Sequence, residues 1–258
     1  MDLKQFSDRT ADGVRKYLGA QAGVCIREVQ KNNGITLHGM TVTDKRSNLS
    51  PTIYMESFYE EYQAGRALGE IVRDIVKIYE DTRVKGKINM DFFTDYEKTR
   101  KRIFCKLIHY ERNRNMLRDV PHKRYLDLAI VCYYSYVNEM VGSGTITIRK
   151  GQLESWKVTE EQLLREAMDN TERVLGYRWY DMKSMIREIA RQCDRREEQM
   201  VDDMLENSST SPMYVVTNRD KYFGAVCMVF EGVMRNMGEV IGEDFVILPS
   251  SIHESATR

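Results

Sequence analysis

The C-terminal segment of the chain brings together several side chains that could do chemistry. An apolar run, "FVIL", ends at Pro249, and Ser250, Ser251, His253 and Glu254 follow it. A serine hydroxyl becomes a nucleophile when a histidine accepts its proton, and hydroxyls of this kind can also bind phosphate. The segment therefore predicts one of two things: a hydrolase or phosphotransfer site, or a strand end at which Ser251 caps a short helix.

His122 has a similar setting and could belong to the same site. It follows Pro121 at the edge of an apolar, strand-like run, and Asp127 lies nearby in the sequence. Functional residues concentrate at strand ends because the sheet is rigid while the following loop is free to vary. The candidate catalytic residues are thus His122, Asp127, Ser250, Ser251, His253 and Glu254.

The common local signatures of enzymes are missing from this sequence. It contains no HExxH, GxSxG, Walker or GxGxxG motif, which excludes those signatures but not catalysis as such. The five cysteines are widely spaced and form no CxxC pair, so we expect reduced, mostly buried thiols and no metal site. No cofactor is predicted, and whether the protein is an enzyme stays open.

A basic stretch between Lys98 and Arg124 holds ten basic residues against two acidic ones. Apolar residues at three- and four-residue spacing predict that a long amphipathic helix, from about Asp95 to Leu117, carries most of it. Such a helix could bind the phosphates of a nucleic acid. The candidate residues are Arg100, Arg102, Lys106, Arg114 and Arg118. The alternative is a solvated helix that pairs with the acidic stretch Glu56–Glu80 of its own chain.

The rest of the chain alternates between strand-like and helix-like patterns. The strongest signal is Asn32-Asn33-Gly34 between two alternating runs, which predicts a hairpin because both residues of an Asn-Gly pair tolerate positive φ. The elements predicted in the first half are a helix at Leu3–Leu18, strands at Val24–Lys31, Ile35–Thr43 and "SPTIYM", and a helix at Glu56–Ile78 that breaks near Gly65.

In the second half, Thr159 and Gln162 form a capping box that predicts a helix to about Leu175. The other predicted elements are a strand pair at Tyr125–Val137 and Thr145–Arg149 closed by Gly142–Gly144, a helix with an apolar stripe from Met182 to Met204, a strand at "MYVVT", a mixed segment at Gly224–Phe230, a helix to Ile241 and a strand at "FVIL".

Strands and helices are interspersed, but without the regular βαβ rhythm of a doubly wound sheet. We therefore predict an α+β fold. Antiparallel β-hairpins are expected to form a mixed or antiparallel sheet covered by several long amphipathic helices. Residues 1–258 are expected to form a single domain with a helical part at 56–118.

Six stretches of the sequence stand together in a characteristic order. They are "PTIYMESFYEEYQAG", "FFTDYEK", "VPHKRYLDLAIVCYY", "GTITIRK", "YVVTNRDKYFGA" and "DFVILPSSIHE". In this order the chain resembles a bacterial family, domain of unknown function 5688, from about Val29 to Glu254. The resemblance implies a soluble bacterial protein and carries no established activity, so it assigns no residue a role. Similar proteins continue for some tens of residues past "SSIHE", so we expect the C-terminal tail of this chain to be short.

The composition favours a soluble binding protein. Basic and acidic residues balance at 39 each, so no net charge attracts the chain to nucleic acid or to a membrane. The N-terminus lacks the apolar core of a signal peptide, and no run approaches the roughly 18 apolar residues of a membrane span. We expect a cytoplasmic protein that binds or regulates a protein partner, because charge is segregated along the chain and its 15 methionines suit adaptable surfaces as well as cores. An enzyme and a nucleic-acid-binding protein are the alternatives.

Overall fold

The computed structural model describes residues 1–19, 22–44, 47–83, 86, 91–138, 142–191, 200–201, 203–205 and 213–257. Helices and antiparallel sheets give an α+β fold, which confirms the predicted fold class. The chain divides into two compact units. The first is Met1–Thr94 with Arg112–Met116 and Val137–Ser143, and the second is Asp95–Glu111 with Leu117–Tyr136 and Gly144–Arg258. The expectation of a single domain stays a prediction.

The first unit contains a three-stranded antiparallel sheet. Strands β1 (Gly23–Gln30), β2 (Thr36–Thr43) and β3 (Thr52–Tyr54) pair in that order. The connection between β1 and β2 contains Asn33 and Gly34, whose φ angles are 62° and 72°. These left-handed angles are the ones that an Asn-Gly pair tolerates. The predicted hairpin is confirmed.

Three helices of the first unit have the predicted positions. They are α1 (Leu3–Leu18), α2 (Glu56–Gln63) and α3 (Leu68–Thr82). The break between α2 and α3 lies at Gly65, whose φ of 99° is readily adopted only by glycine. The apolar sides of the helices share one buried core with the sheet, which includes Phe6, Val14, Met40, Val42, Ile71 and Ile75. A short helix, α4 (Asp91–Thr94), ends the unit's longest segment.

The largest part of a further sheet belongs to the second unit, and β6 (Leu128–Asn138) is its central strand. Strand β4 (Ile103–His109) pairs antiparallel with one side of β6, and β5 (His122–Tyr125) pairs antiparallel with the other side. Strand β7 (Gly142–Thr147) also pairs with β6, which confirms the predicted strand pair. The glycines at its start belong to the strand instead of the turn, and residues 139–141 lie outside the described part of the chain.

The predicted long helix from Asp95 to Leu117 is wrong. Helical structure here is limited to α5 (Tyr96–Thr99), short 3-10 turns and α6 (Arg114–Leu117), with β4 between them. Strand β4 is buried on both faces, so it reads as a nearly continuous apolar run. Its apolar residues at 103 and 107, with Tyr110, are also spaced as in an amphipathic helix. For this reason the sequence pattern predicted a helix where a strand forms. The helical part of 56–118 therefore stops before β4 and resumes only after it.

Helix α8 (Glu160–Asn170) covers one face of the β4–β6–β5 sheet, next to the shorter α7 (Lys150–Trp156). It begins as predicted, because the Thr159 hydroxyl accepts a hydrogen bond from the Gln162 backbone at 3.1 Å. A π-helical turn at Thr171–Leu175 continues it. The predicted end near Leu175 therefore agrees with the end of the helical structure.

A second antiparallel sheet of this unit contains four short strands. Their order is β10 (Ile247–Pro249), β11 (Ser255–Thr257), β9 (Tyr214–Thr217) and β8 (Arg178–Asp181). The strand predicted at "MYVVT" is confirmed as β9, and the strand predicted at "FVIL" begins later, at Ile247. A 3-10 helix at Gly224–Val229 and helix α10 (Glu231–Ile241) account for the predicted mixed segment and the helix after it.

The predicted helix from Met182 to Met204 is described only in part. Helix α9 (Met182–Ala190) forms its beginning, residues 192–199 lie outside the described residues, and residues 200, 201 and 203–205 are helical. Met200 and Met204 are 65% and 66% exposed, so these two side chains are not in a core. None of the described helices has the length and apolar character needed to cross a membrane.

The thiols of the described cysteines agree with the prediction. Cys105, Cys132 and Cys227 are buried and unbridged, and Cys25 is partly buried. Cys105 and Cys132 lie directly opposite each other on β4 and β6, with their sulfur atoms 3.9 Å apart. Burial raises the pKa of Cys227 to about 12, so this thiol stays protonated at neutral pH.

Gly224 lies at the closest approach of three backbone segments in the second unit. A Cβ atom at this position would lie 2.2 Å from Thr217 Oγ1, 2.4 Å from the Asn218 nitrogen and 2.8 Å from the His253 oxygen. Two of these atoms belong to the backbone and cannot move aside like the end of a flexible side chain. The packing therefore requires glycine here.

We expect Gly224→Ala to lower the free energy of unfolding by about 2–3 kcal/mol, because the added methyl group overpacks a site built from backbone. Gly232→Ala is the matched control, because Gly232 lies in α10 with open space around its Cβ. Because Gly232 is only the second residue of the helix and is exposed, that substitution should change the free energy of unfolding by less than about 0.5 kcal/mol. Urea denaturation measures both values, and equal stability of the two variants would contradict the close approach.

Candidate functional site

A groove in the second unit lies between strand β5, at the edge of its sheet, and helix α8. It has a volume of about 860 Å³. Its lining residues come from β5, from one position of β6 and from one side of α8. They are His122, Lys123, Arg124, Ile130, Glu160, Glu161, Leu164, Arg165, Met168 and Asp169. An apolar floor with a charged rim is typical of grooves that bind ligands.

The pairing of β5 with β6 determines which backbone groups of β5 face the groove. In an antiparallel pair, residues whose N–H and C=O groups point to the partner strand alternate with residues whose groups point away. The His122 N–H points away, because it donates to Glu160 Oε1 at 2.6 Å. By this alternation Arg124 also directs its N–H and C=O groups away from β6. The edge of the sheet thus offers hydrogen-bonding groups along the groove.

The hydrogen bond between His122 and Glu160 joins the edge strand to the helix. Glu160 lies in the first turn of α8, where a carboxylate also interacts favourably with the helix dipole. A bond from a backbone N–H to an ionised carboxylate is among the stronger hydrogen bonds in proteins. Strand β5, which forms one wall of the groove, is therefore hydrogen-bonded to the N-terminal end of α8.

The side chains of β5 alternate between the groove and the opposite face of the sheet. Lys123 lies opposite Ile130 and shares its face, which α8 covers. The His122 ring and the Arg124 guanidinium both pack against Tyr110, at 5.8 Å and 4.5 Å from its ring centroid. His122 Nδ1 lies 2.9 Å from the Val120 carbonyl oxygen, which can only accept, so Nδ1 carries a proton.

The C-terminal candidates contact mainly the local backbone. Ser251 Oγ accepts from the His253 N–H at 3.0 Å, and the Ser251 N–H donates to the Glu254 carbonyl at 3.2 Å. These two bonds close a turn in which Ser251 satisfies backbone groups of the loop. The short helix that Ser251 was expected to cap does not form, because the chain bends after Ser251 and strand β11 begins at Ser255. Ser250 is exposed, next to this turn.

The His253 ring holds the loop that follows β9. Its Nδ1 accepts from the Phe223 N–H at 3.1 Å, and the two rings stack with centroids 5.5 Å apart and planes 6° apart. Its carbonyl accepts from the Thr217 hydroxyl at 2.8 Å. Because Nδ1 accepts, the neutral ring carries its proton on Nε2. The ring is thus oriented by its contacts to Phe223.

The described contacts do not unite the catalytic candidates. His122 contacts Tyr110, Val120 and Glu160, whereas His253 contacts a different set around Phe223. Asp127 is exposed in the turn between β5 and β6, at the far end of β5 from His122. Within the described residues, no group of three or more His, Cys, Asp or Glu side chains is arranged to hold a metal ion.

The basic candidates do not lie along one helix, because that helix does not form. Arg100 pairs with Glu97 at 3.1 Å and with Glu166 at 3.3 Å. Lys106 lies on β4 and is partly buried. The remaining three are exposed, Arg102 and Arg118 in the second unit and Arg114 in the first.

Sequence reasoning missed the residues of α8 that line the groove. Their charged and apolar types are those of any solvated amphipathic helix, so the sequence carries no signal that separates them. The groove exists only because α8 packs beside the edge strand. Lys106 did carry a signal, because it is a charged residue inside the apolar run "IFCKLIH". The hypothesis of a basic helix assigned it to nucleic-acid binding instead.

Comparison with known protein families matches residues 3–256 to a family of unknown function, DUF5688. The chain belongs to this family. The match covers nearly the whole chain and confirms the resemblance found in the six ordered stretches. Comparison with curated proteins and with solved structures finds no match in either set.

In this DUF5688 protein we expect Glu160→Ala to lower the free energy of unfolding by about 1–2 kcal/mol, because the His122 N–H loses a charge-assisted partner. Glu161→Ala is the matched control. Glu161 lies in the same first turn of α8 and shares the dipole effect, but the His122 N–H bonds only to Glu160. Thermal or urea unfolding of both variants measures the difference. An equal loss of unfolding free energy in the two variants would show that the helix dipole accounts for the loss, and not the hydrogen bond to His122.

Proposed function

We propose that this DUF5688 protein binds an extended segment of a protein partner in the groove between β5 and α8. The observation that carries the proposal is the outward-facing backbone of β5, which forms one wall of a groove with an apolar floor. An extended peptide can add to such an edge as a further strand. Its main-chain hydrogen bonds then give affinity, and pockets for alternate side chains give specificity.

Arg124 offers the backbone groups that an added strand would use. Its N–H and C=O point away from β6, whereas the equivalent N–H of His122 is occupied by Glu160. Strand β5 spans only His122–Tyr125, so the pairing with a partner is short and centred on Arg124. A strand added there would lie about 4.8 Å from β5 and continue the sheet.

The side chains of the groove indicate what kind of segment fits. In an added strand every second side chain points toward α8, where Ile130, Leu164 and Met168 form the apolar floor. Methionine adapts its shape to different apolar partners. Lys123 on the strand side and Glu161 on the helix side can pair with flanking charges. The expected segment is therefore extended, with an apolar residue flanked by charged ones.

The two alternative functions have less support from the described contacts. A serine hydrolase needs the hydroxyl within reach of a histidine ring nitrogen, but Ser251 Oγ bonds to the backbone N–H of His253. The basic helix proposed for nucleic acid is replaced in large part by β4. A location in the bacterial cytoplasm stays a prediction from the sequence.

Strand addition can be tested by comparing Arg124→Pro with Arg124→Ala. Peptides that bind the wild-type protein are first selected from a random library, and their affinities are measured by fluorescence polarisation. Both substitutions remove the guanidinium, but only proline removes the N–H. We expect Arg124→Pro to bind the selected peptides about tenfold more weakly than Arg124→Ala, because one main-chain hydrogen bond contributes about 1–1.5 kcal/mol.

One control makes the comparison decisive. Proline is tolerated on an edge strand where its missing N–H would face outward, and thermal unfolding checks that both variants keep the fold. Equal affinities of the two folded variants would exclude strand addition at Arg124. A selection that enriches no peptide would overturn the proposed function itself.

A further inference from the structure

Lys106 lies in the middle of β4, on the face of the sheet opposite α8. Its neighbours Cys105 and Leu107 belong to the core cluster under α8, so the alternation of the strand turns Lys106 to the other face. There it lies opposite Val131 of β6. A lysine in the middle of a sheet is unusual because burying an ammonium group is costly without a charged partner.

Aromatic rings and one hydroxyl group surround the Lys106 amine. Nζ lies 4.5 Å from the ring centroid of Phe223 and 5.8 Å from that of Tyr133. It donates a hydrogen bond to Thr147 Oγ1 at 3.2 Å. Among the residues that the structure describes, no carboxylate pairs with it. Burial therefore lowers the pKa of Lys106 to about 8.

The loop that supplies Phe223 is held in a strained conformation. Lys221 and Phe223 have left-handed φ angles of 53° and 57°, which residues other than glycine rarely adopt. Asn218 fixes the loop through two bonds to the Tyr222 backbone, at 2.8 and 3.2 Å, and His253 Nδ1 accepts from the Phe223 N–H. Backbone strain of this kind concentrates at functional sites, where the position of a side chain matters.

A lowered pKa leaves more of an amine uncharged at neutral pH. Only the uncharged amine can attack a carbonyl carbon, and desolvation is one of the ways in which proteins obtain it. At pH 7 an amine with a pKa of about 8 is roughly one-tenth uncharged. An ordinary lysine, with a pKa of about 10.4, is uncharged in fewer than about one molecule in a thousand.

We propose that Lys106 is a reactive amine that forms a Schiff base with a small aldehyde or ketone. The lone pair of Nζ adds to the carbonyl carbon, and the resulting carbinolamine loses water. A C=N double bond replaces the C=O bond, with no change in oxidation state. The rings of Tyr133 and Phe223 favour an uncharged carbonyl compound, and the Thr147 hydroxyl can hydrogen-bond to the adduct. This site is independent of the groove, which lies on the other face of the sheet.

Reductive trapping tests the proposal on the full, folded chain. The protein is incubated at pH 7 with propanal or benzaldehyde and cyanoborohydride, which reduces an imine to a stable secondary amine. Peptide mass spectrometry then locates the modified lysines. We expect Lys106 to react about tenfold faster than the exposed Lys101 and Lys123. Its rate should rise through about pH 8, whereas the exposed lysines gain rate toward pH 10.

The control variant is Lys106→Arg, which keeps the positive charge and removes the nucleophile. It should lose the fast modification while Lys101 and Lys123 keep theirs. If this variant does not fold, the wild-type pattern decides alone, because the exposed lysines are internal controls. Modification of Lys106 no faster than theirs, or only after unfolding in urea, would overturn the proposal and leave Lys106 as a packed structural residue.

Discussion

Strand β6 is the element on which the second unit depends. From Leu128 to Tyr133 it is buried on both faces, so water cannot satisfy its backbone and each N–H and C=O must find a partner within the protein. Strand β4 supplies these partners on one side, and β5 and β7 supply them on the other. The segment Ile103–His109 is therefore drawn into a strand although its spacing also suits a helix. The buried backbone of β6 thus needs hydrogen-bond partners on both sides, and this need makes β4, β5 and β7 adopt the extended conformation of strands.

The two-residue period of this sheet separates its faces chemically. Leu107, Ile130 and Lys123 form one row across the sheet, on the face that α8 covers. The next row, of Lys106, Val131 and His122, lies on the opposite face. The groove forms where α8 meets the β5 end of the first row, and the reactive amine lies at the β4 end of the second. A slip of one residue in the pairing would exchange the rows and remove both arrangements.

Polar side chains join helices and loops to the sheet by satisfying backbone groups. The Thr171 hydroxyl accepts from the Cys105 N–H at 2.8 Å, Glu160 accepts from His122, and His253 accepts from Phe223. Buried backbone donors need such partners, and a polar residue at the end of an apolar run is well placed to serve. A histidine and hydroxyl groups beside a strand end first suggest catalysis in the sequence. The same residue types are needed to accept hydrogen bonds from buried backbone N–H groups.

The sequence by itself determined the elements whose signals are local. The Asn-Gly hairpin, the apolar side of α3 and the cap at Thr159 each depend on residues a few positions apart, and the ordered stretches were sufficient to reveal the family. Only the tertiary structure decided the rest. An apolar run that is buried on both faces fits two periods, so β4 needed its pairing with β6 to be defined. Lys106 and Thr147 are 41 residues apart, and Glu160 and His122 are 38 apart. No local pattern links residues at such separations, because their contacts are created by strand register and helix packing.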